Sequence, residues 1–366
     1  MSLLSTRIDV AAIAHNVRWL KSRLAPGVRL MCVVKADAYG HGAQEIAPVM
    51  AAHGADALGC ATVDEAVALR RQGISLPIVA WIWAPQQELA DAFSAEIILG
   101  VSSLAQARRL IDAAVPVTVT IKVETGMHRS GVDENQWEEV FSLLRDAPHI
   151  TVLGLMSHFA CADDLDHVHN KVQERNFARA VSRAREAGLE CPVNHLANSA
   201  ATLTRPDSHW EMVRVGLACY GLEPIPGLEH DLRPAMSWIS HVTNIKHISA
   251  GEASGYGLTW AAAQSGWLAT VAGGYADGLP RAFQGKLHVG IGGALYPQVG
   301  RISMDQIVVD LGDNAEGIEI GEEAVLFGTG GMSATMLADA TGTINYEIVC
   351  RPTGRTHREF LKENSS

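Results

Sequence analysis

Cysteine pairs of the kind that bind zinc are missing from this sequence of 366 residues. None of its six cysteines belongs to a CxxC motif. They are Cys32, Cys60, Cys161, Cys191, Cys219 and Cys350. Because structural zinc and disulfide frameworks need suitably spaced cysteines, the pattern predicts buried free thiols and no metal site.

Long hydrophobic runs and an excess of basic charge are also missing. No apolar run reaches the roughly 18 residues of a membrane span, and residues 1–6 lack a basic segment followed by an apolar core. Acidic residues outnumber basic ones by 40 to 29, so the net charge is −11. Such a charge disfavours nucleic acid or an anionic membrane as a partner. We therefore expect a cytoplasmic protein that binds neither.

The hydrophobic content of 48% is enough for a large core in two domains. Strand-like apolar runs alternate with helical stretches through most of the first 215 residues. The runs are 29–34, 57–60, 77–81, 96–99, 117–123, 152–156, 193–196 and 212–215. Eight such runs predict a (β/α)8 TIM-type barrel. A doubly wound open sheet is the alternative, although no GxGxxG motif follows the first strand.

The sequence pattern changes after Pro224-Ile225-Pro226. Short β-rich runs, spaced by glycine turns, then dominate, and only residues 332–342 have a helical pattern. The β-rich runs are 238–245, 267–271, 287–291, 306–311 and 323–327. We therefore predict a (β/α)8 barrel domain at 11–225 and a mainly β domain at 226–366. Residues 1–10 are an N-terminal segment that can join the second domain as a strand.

Polar groups follow five of the eight predicted strands, where the carboxyl ends of barrel strands face the active site. These groups are Lys35, Lys122, His158, His195 with Asn198 and Ser199, and Arg214 with Gly216 and Leu217. A lysine at a strand end is often only a surface cap. Burial, however, favours its neutral amine, which reacts with carbonyl compounds. Five such strand ends together favour a ligand site.

Nine segments of the chain resemble the alanine racemase family. They are VVKADAYGHG from Val33, KVETGMHRSG from Lys122, SHFACADD from Ser157, HLANSA from His195, VRVGLACYG from Val213, GYGLTW from Gly255, GYADGLPR from Gly274, VGRISMDQ from Val299 and INYEIV from Ile344. They follow the family's order over nearly the whole chain. The resemblance implies an enzyme that uses pyridoxal 5'-phosphate (PLP) and a homodimer whose subunits meet head to tail.

Two residues carry the chemistry that the resemblance implies. Lys35 binds PLP covalently and serves as one catalytic base, and Tyr256 of the partner subunit serves as the other. A tyrosine must lose its proton to act as a base, and a basic neighbourhood, for which His158 and Arg214 are the candidates, favours that loss. Without the resemblance, Tyr256 reads as an interface aromatic between two glycines.

Further residues match the family's cofactor site. Arg214 corresponds to the arginine that meets the pyridine nitrogen, and His195 is expected to orient it. Pairing of Arg214 with Glu211 is the alternative. The remaining cofactor-binding matches, most of them for the phosphate, are Tyr39, His158, Asn198, Ser199, Gly216, Leu217 and Tyr346.

The resemblance also implies the substrate site. Arg129, Met304 and Asp305 match substrate contacts, and Lys122 matches a lysine often carbamylated in the family. The expected substrate entrance is narrow and favours small amino acids. Its residues are Asp163, Tyr275, Arg281, Arg301 and Ile344. Asp163 and Arg281 could equally be ordinary exposed charges.

The predicted function is interconversion of L-alanine and D-alanine, which supplies D-alanine for peptidoglycan. The serious alternative is a racemase of another small amino acid such as serine; a non-catalytic PLP-binding protein is the other. A fold type III decarboxylase would lack the GYGLTW and SMD segments, and a PLP-binding homeostasis protein would lack the β domain. The chain departs from the family at Arg355-Thr356-His357-Arg358, where many relatives carry an apolar pair between the arginines.

Overall fold

Strands and helices alternate through the first half of the computed structural model, which describes residues 2–361. The strands are β1 Leu4–Asp9, β2 Arg29–Val33, β3 Ala57–Thr62, β4 Ile78–Ile82, β5 Ile98–Val101, β6 Val117–Lys122, β7 Ile150–Met156, β8 Met212–Val215, β9 Met236–Ile248, β10 Ala253–Ser254, β11 Trp260–Ala261, β12 Gly266–Ala272, β13 His288–Ile291, β14 Ala294–Val299, β15 Gln306–Gly312, β16 Glu323–Phe327 and β17 His357–Leu361. The helical segments are α1 Val10–Ser22, α2 Lys35–Tyr39, α3 Ala43–Ala52, α4 Val63–Arg71, α5 Ala90–Ser94, α6 Leu104–Ala113, α7 Trp137–Arg145, α8 His169–Glu186, α9 Ser199–Thr204, α10 Ala334–Thr341 and α11 Asn345–Val349.

The described chain divides into two compact units. The barrel unit comprises residues 13–38 and 42–233, and the β unit comprises residues 2–12, 39–41 and 234–361. The domain boundary predicted near residue 225 stays a prediction. No helix among residues 2–361 is long and apolar enough to cross a membrane, and no cluster of histidine, cysteine, aspartate or glutamate in that range could hold a metal ion.

The barrel unit is built on a parallel sheet in the order β7-β6-β5-β4-β3-β2-β8. Most residues of its strands are apolar, because helices and the barrel interior cover the two faces. Leu30, Met31 and Cys32 of β2, for example, are fully buried. The predicted (β/α)8 barrel with a mainly β second domain is confirmed, and the open doubly wound sheet is wrong.

The seventh predicted strand, residues 193–196, is not a regular strand. Its only ladder contact within the described chain is an isolated bridge between Met156 and His195. The Asn194 side chain disrupts the ladder, because its Oδ1 accepts from the Leu155 amide at 3.0 Å in place of a backbone carbonyl. The pattern of apolar residues could not reveal that the Asn194 side chain replaces a backbone carbonyl as the acceptor.

The same segment nevertheless completes the ring of the barrel. The Val193 amide donates to Leu153 O of β7 at 2.9 Å, and the Arg214 amide of β8 donates to Ala197 O at 2.9 Å. Gly154 permits the close approach, since a Cβ there would lie 2.0 Å from Val193 O. The irregular segment 193–197 therefore takes the place of a strand between β7 and β8 and closes the barrel. His195 lies in this segment, and Arg214 lies on β8.

The β unit contains a closed antiparallel barrel. Strand β9 pairs with both β16 and β12, and the order β12-β15-β14-β13-β16-β9 closes on itself. Strand β1 pairs antiparallel with β9 and parallel with β17. The segment that differs from the family pattern, Arg355 to Arg358, thus leads into β17, which lies beside β1.

The five predicted β-rich runs correspond to β9, β12, β13, β15 and β16. Sequence reasoning missed the strands β10, β11, β14 and β17. It also missed α11, so the expectation of a single helix in this half was wrong. Strand β17 is mostly exposed and charged, and α11 spans only five residues, which is too short for a helical period. The Gly292-Gly293 pair before β14 was the available hairpin signal.

Candidate active site

Lys35 lies just past β2, where the chain enters an unusual turn. The four residues after it, Ala36 to Tyr39, all have left-handed backbone angles with φ between 51° and 55°. Left-handed backbone costs roughly 1–2 kcal/mol for each residue that is not glycine. Such strain is found at functional sites whose surroundings fix the backbone. The turn therefore makes Lys35, which is partly buried, a candidate functional lysine.

Two carboxylates hold this turn. Glu65 Oε1 accepts from the Ala36 amide at 2.7 Å, and its Oε2 accepts from the Ala61 amide at 2.9 Å. Asp37 Oδ1 accepts from the Ala43 amide at 2.7 Å, tying the turn to the start of α3. Glu65 was missed by sequence reasoning. Its signal was the capping box that it forms with Thr62 at the start of α4.

Arg214 of β8 is the buried cation of the barrel unit, with 7% of its surface exposed. Its Nη1 donates to His195 O at 2.8 Å, and its Nη2 donates to Leu196 O at 3.3 Å and to Ser157 O. Glu211 does not provide the counter-charge considered from sequence. It accepts instead from the amide and the Nδ2 of Asn194, at 2.8 and 3.0 Å.

His195 orients this guanidinium from a fully buried position. Its Nδ1 lies 3.0 Å from Arg214 Nη1, and its Nε2 lies 3.4 Å from Thr120 Oγ1. Because arginine can only donate, Nδ1 must accept, which assigns the ring proton to Nε2. Burial first, and then Arg214, lower the pKa of His195 well below its usual value. Burial lowers the pKa of Arg214 to about 10, so the arginine is charged and the histidine neutral at pH 7.

His158 and Lys122 lie in the same electropositive region. Burial and then the charge of Arg214 lower the pKa of His158 well below its usual value, and its Nδ1 lies 3.3 Å from Arg214 Nη2. Burial, followed by Arg129 and Arg214, lowers the pKa of Lys122 to about 8. Lys35 contributes to both shifts. Several cations therefore act on the same groups here, with Glu124 acting in the opposite sense on Lys122, and the region suits an anionic ligand.

The loops after the last two barrel strand positions are tied together by Ser199. Its Oγ accepts from the Gly216 amide at 3.1 Å and from the Ala218 amide at 3.5 Å. Asn198 caps the short helix α9, since its side chain accepts from the Ala201 amide at 3.0 Å. The structure thus brings together Ser199 and Gly216, with Leu217 buried directly after them.

Tyr39 and Tyr346 contact each other within the β unit. Their ring centroids are 6.0 Å apart, and Tyr39 is buried. Tyr346 lies on α11, the short helix that the sequence pattern did not reveal. The two predicted phosphate ligands of this unit therefore form one pair.

Six other predicted residues line a cavity of about 1170 Å³ in the β unit. They are Tyr256, Tyr275, Arg281, Arg301, Met304 and Asp305. Tyr256 is 72% exposed. Ile344 is exposed elsewhere in this unit, and Asp163 is an exposed residue of the barrel unit. The cavity collects the predicted substrate and entrance residues of the β unit.

Comparison with known proteins identifies both units. The family model "Alanine racemase, N-terminal domain" matches residues 8–224, and "Alanine racemase, C-terminal domain" matches residues 235–360. The alanine racemase of Corynebacterium efficiens is 57% identical over 366 residues, which are 99% of this chain and 100% of that protein.

Solved structures agree with this comparison. The alanine racemase of Corynebacterium glutamicum superposes with a TM-score of 0.92 and 52% identity, covering 99% of this chain and 100% of its own. The Bartonella henselae alanine racemase with covalently bound pyridoxal phosphate has a TM-score of 0.91 and 28% identity, covering 99% and 100%.

A lysine-bearing barrel joined to a mainly β unit, with these relatives over its full length, defines an amino acid racemase, which is an isomerase. The chain belongs to the alanine racemase family.

Proposed function

We propose that this enzyme interconverts L-alanine and D-alanine with PLP as cofactor and with Lys35 and Tyr256 as its two bases. The observation that carries the proposal is the buried Arg214, which is held by carbonyl oxygens and by the neutral His195. A donor-only cation in this setting fits a ring nitrogen that stays unprotonated. The neighbouring Lys35 supplies the amine for covalent attachment.

The charges of the barrel unit fit PLP, which brings a phosphate and a phenolic oxygen. Burial first, and then Arg214, Arg129, Lys122 and Lys35, lower the pKa of His158, so several cations act on one buried ring. We assign the phosphate to hydroxyl and amide donors and to the tyrosine pair. These groups are Ser199, Gly216, Leu217, Tyr39 and Tyr346, with Asn198 and His158 as further cofactor contacts. The Bartonella henselae structure, which carries covalently bound pyridoxal phosphate, supports the cofactor.

The proposed mechanism assigns one face of the substrate to each base. When bound, PLP withdraws electrons from the amino acid and makes its α-proton acidic. Lys35 Nζ removes or returns the proton on one face, and Tyr256 Oη does so on the other. Exchange on both faces is what inverts the configuration, whereas a single base would return the proton to the face it left.

Tyr256 is proposed to serve the partner subunit of a homodimer. Its 72% exposure supports this, since a base must be covered from water when it acts. Tyr275, Arg281 and Arg301 share its cavity, and with Asp163 and Ile344 we assign them to the substrate entrance. Met304 and Asp305 are assigned to substrate contact.

Arg129 is proposed to bind the substrate carboxylate, with a carbamylated Lys122 beside it. A protonated Lys122 would repel Arg129, and the pKa of Lys122, lowered to about 8, leaves part of it as the free amine that CO2 requires. A carbamate would convert this repulsion into attraction. Domain 11–225 then holds the cofactor and domain 226–366 completes the partner's site.

The proposed cellular role is cytoplasmic supply of D-alanine for peptidoglycan. A serine racemase keeps the same bases and differs around the substrate and entrance, so it remains the second candidate.

Chiral chromatography after incubation of L-alanine with the PLP-loaded enzyme tests the proposal. L-serine runs in parallel, and Tyr256→Phe is the control variant. We expect D-alanine to form faster than D-serine and the variant to lose about 10³-fold in rate, as for loss of a general base. Bound PLP without α-proton exchange in deuterated water would contradict the proposal.

A further inference from the structure

A buried carboxylate lies beneath the cavity of the β unit. Asp277 is 1% exposed, and its Oδ2 accepts from the Gly274 amide at 3.1 Å. Arg355 supplies the counter-charge: its Nε donates to Asp277 Oδ1 and its Nη2 to Asp277 Oδ2, both at 2.8 Å. Such a two-point pair fixes the plane of the guanidinium as well as its position.

The third nitrogen of the same guanidinium points to the cavity. Arg355 Nη1 lies 2.8 Å from Asp305 Oδ1, and Asp305 lines the cavity beside Met304. One arginine therefore links a buried, immobile carboxylate to an exposed carboxylate of the candidate substrate site. Both carboxylates raise the pKa of Arg355, with Asp277 the larger cause.

Backbone bonds join the same two segments. The Gly273 amide donates to Asp305 O at 2.8 Å, and the Ala276 amide donates to Met304 O at 3.1 Å. The segments are so close that a Cβ on Gly274 would lie 2.3 Å from Ser303 O. Movement of Asp305 would therefore disturb the hydrogen bonds that the Gly273 and Ala276 amides donate.

The C-terminal segment holds Arg355 in place from its own side. The Thr353 amide donates to Asp277 O at 3.0 Å. Gly354 has φ +64°, and a Cβ there would lie 2.6 Å from Ala276 O, so only glycine fits. The chain past Arg355 continues into β17, which pairs with β1.

From this geometry we infer that Arg355 is a positioning residue for substrate recognition. It holds the Met304-Asp305 pair against the buried Asp277 and neutralises the charge that Asp305 would otherwise present to an amino acid's carboxylate. The inference rests on the proposed function for the identity of the substrate, but the positioning itself does not.

Arg355→Lys is the variant that tests this inference. Lysine keeps the charge but cannot hold two carboxylates with a planar fork. Arg7→Lys is the matched control, because Arg7 makes a two-point pair with Glu323 in the same unit, on strands β1 and β16. Hydrogen exchange of the Gly273 and Ala276 amides is the readout that does not need activity.

We expect Arg355→Lys to speed exchange at both amides by about tenfold and to raise KM for alanine by about tenfold with a smaller change in kcat. Arg7→Lys should change neither. Asp305→Ala removes the carboxylate that Arg355 Nη1 contacts, so it should raise KM and speed exchange at both amides. Adding Arg355→Lys to it should change KM further by less than about twofold, because both substitutions act through one contact.

Unchanged exchange in Arg355→Lys, or KM effects that simply multiply in the double variant, would overturn the inference. If Arg355→Lys does not fold, the comparison of Asp305→Ala with wild type still tests the inference, since loss of the link must also speed exchange of the Gly273 and Ala276 amides. Unaltered exchange there contradicts the inference. If the wild type fails to racemise alanine while the exchange results stand, the proposed function fails and the positioning role survives.

Discussion

The candidate residues of the two units differ in kind. In the barrel unit, Arg214 and His195 are buried and already hydrogen-bonded to each other and to backbone carbonyls. In the β unit, Tyr256, Tyr275 and Met304 are 72%, 45% and 51% exposed around an open cavity. The side chains of the barrel unit are therefore held in place before any ligand binds. Those of the β unit are exposed and can contact a substrate or a second protein chain.

The cost of burial explains the difference. A buried charge is tolerated only when hydrogen bonds satisfy it, and Arg214 meets this condition through three carbonyls and two imidazoles. Tyr256 and Tyr275 are exposed, so water can satisfy their hydroxyl groups. The comparison predicts that substitutions of the buried barrel residues lower stability and cofactor binding, whereas substitutions around the cavity of the β unit change KM or turnover with little loss of stability.

Replacing Lys35 should have the largest effect. Lys35→Ala removes both the proposed attachment point and one base, so we expect the rate of alanine racemisation to fall by about 10⁴-fold or more. The visible absorbance of covalently held PLP should disappear, while the melting temperature changes little. Retention of covalent PLP in this variant would show that another lysine holds the cofactor.

Replacing Arg214 should affect stability and cofactor binding together. Arg214→Lys has fewer donors for the carbonyls of Ser157, His195 and Leu196, and we expect it to lower the free energy of unfolding by about 2 kcal/mol. Urea unfolding with and without PLP measures this loss. Arg179→Lys is the control, since its pair with Glu134 is exposed. Equal stability of the two variants would contradict the buried role of Arg214.

Carbamylation of Lys122 should give the smallest and most pH-dependent effect. Only the neutral amine reacts with CO2, and the pKa of Lys122 is lowered to about 8. The neutral fraction therefore rises as the pH increases through about 8, and adduct formation should rise with it. Intact mass in bicarbonate at pH 7 and pH 9 measures the adduct, with Lys122→Arg as the blank. An unmodified Lys122 at both values would contradict the proposal.

Much of the barrel could be predicted because its strands are buried on both faces and read as apolar runs. Strand β8, for example, has the predicted bounds Met212–Val215. The 193–196 segment could not be predicted, because Asn194 replaces backbone pairing with a side-chain bond. The left-handed turn after Lys35 was equally hidden, since alanine, which occupies positions 36 and 38, rarely adopts positive φ.

The candidate site was predicted residue by residue only where a motif carried it. Lys35, His195 and Arg214 stood at strand ends, which topology brings together. Glu65 and Arg355 were not found, because each acts through backbone or carboxylate contacts formed only in the folded chain. Long-range positioning of this kind leaves no local pattern.

The central claim is that each active site takes Lys35 from one subunit and Tyr256 from its partner. Mixing the inactive variants Lys35→Ala and Tyr256→Phe, after dissociation and reassociation, tests it most directly. Random pairing in a twofold dimer gives mixed dimers with one intact site, so about a quarter of the wild-type rate of D-alanine formation should return. If both bases come from the same subunit, no mixed dimer has an intact site, and a mixture that stays inactive would contradict the account.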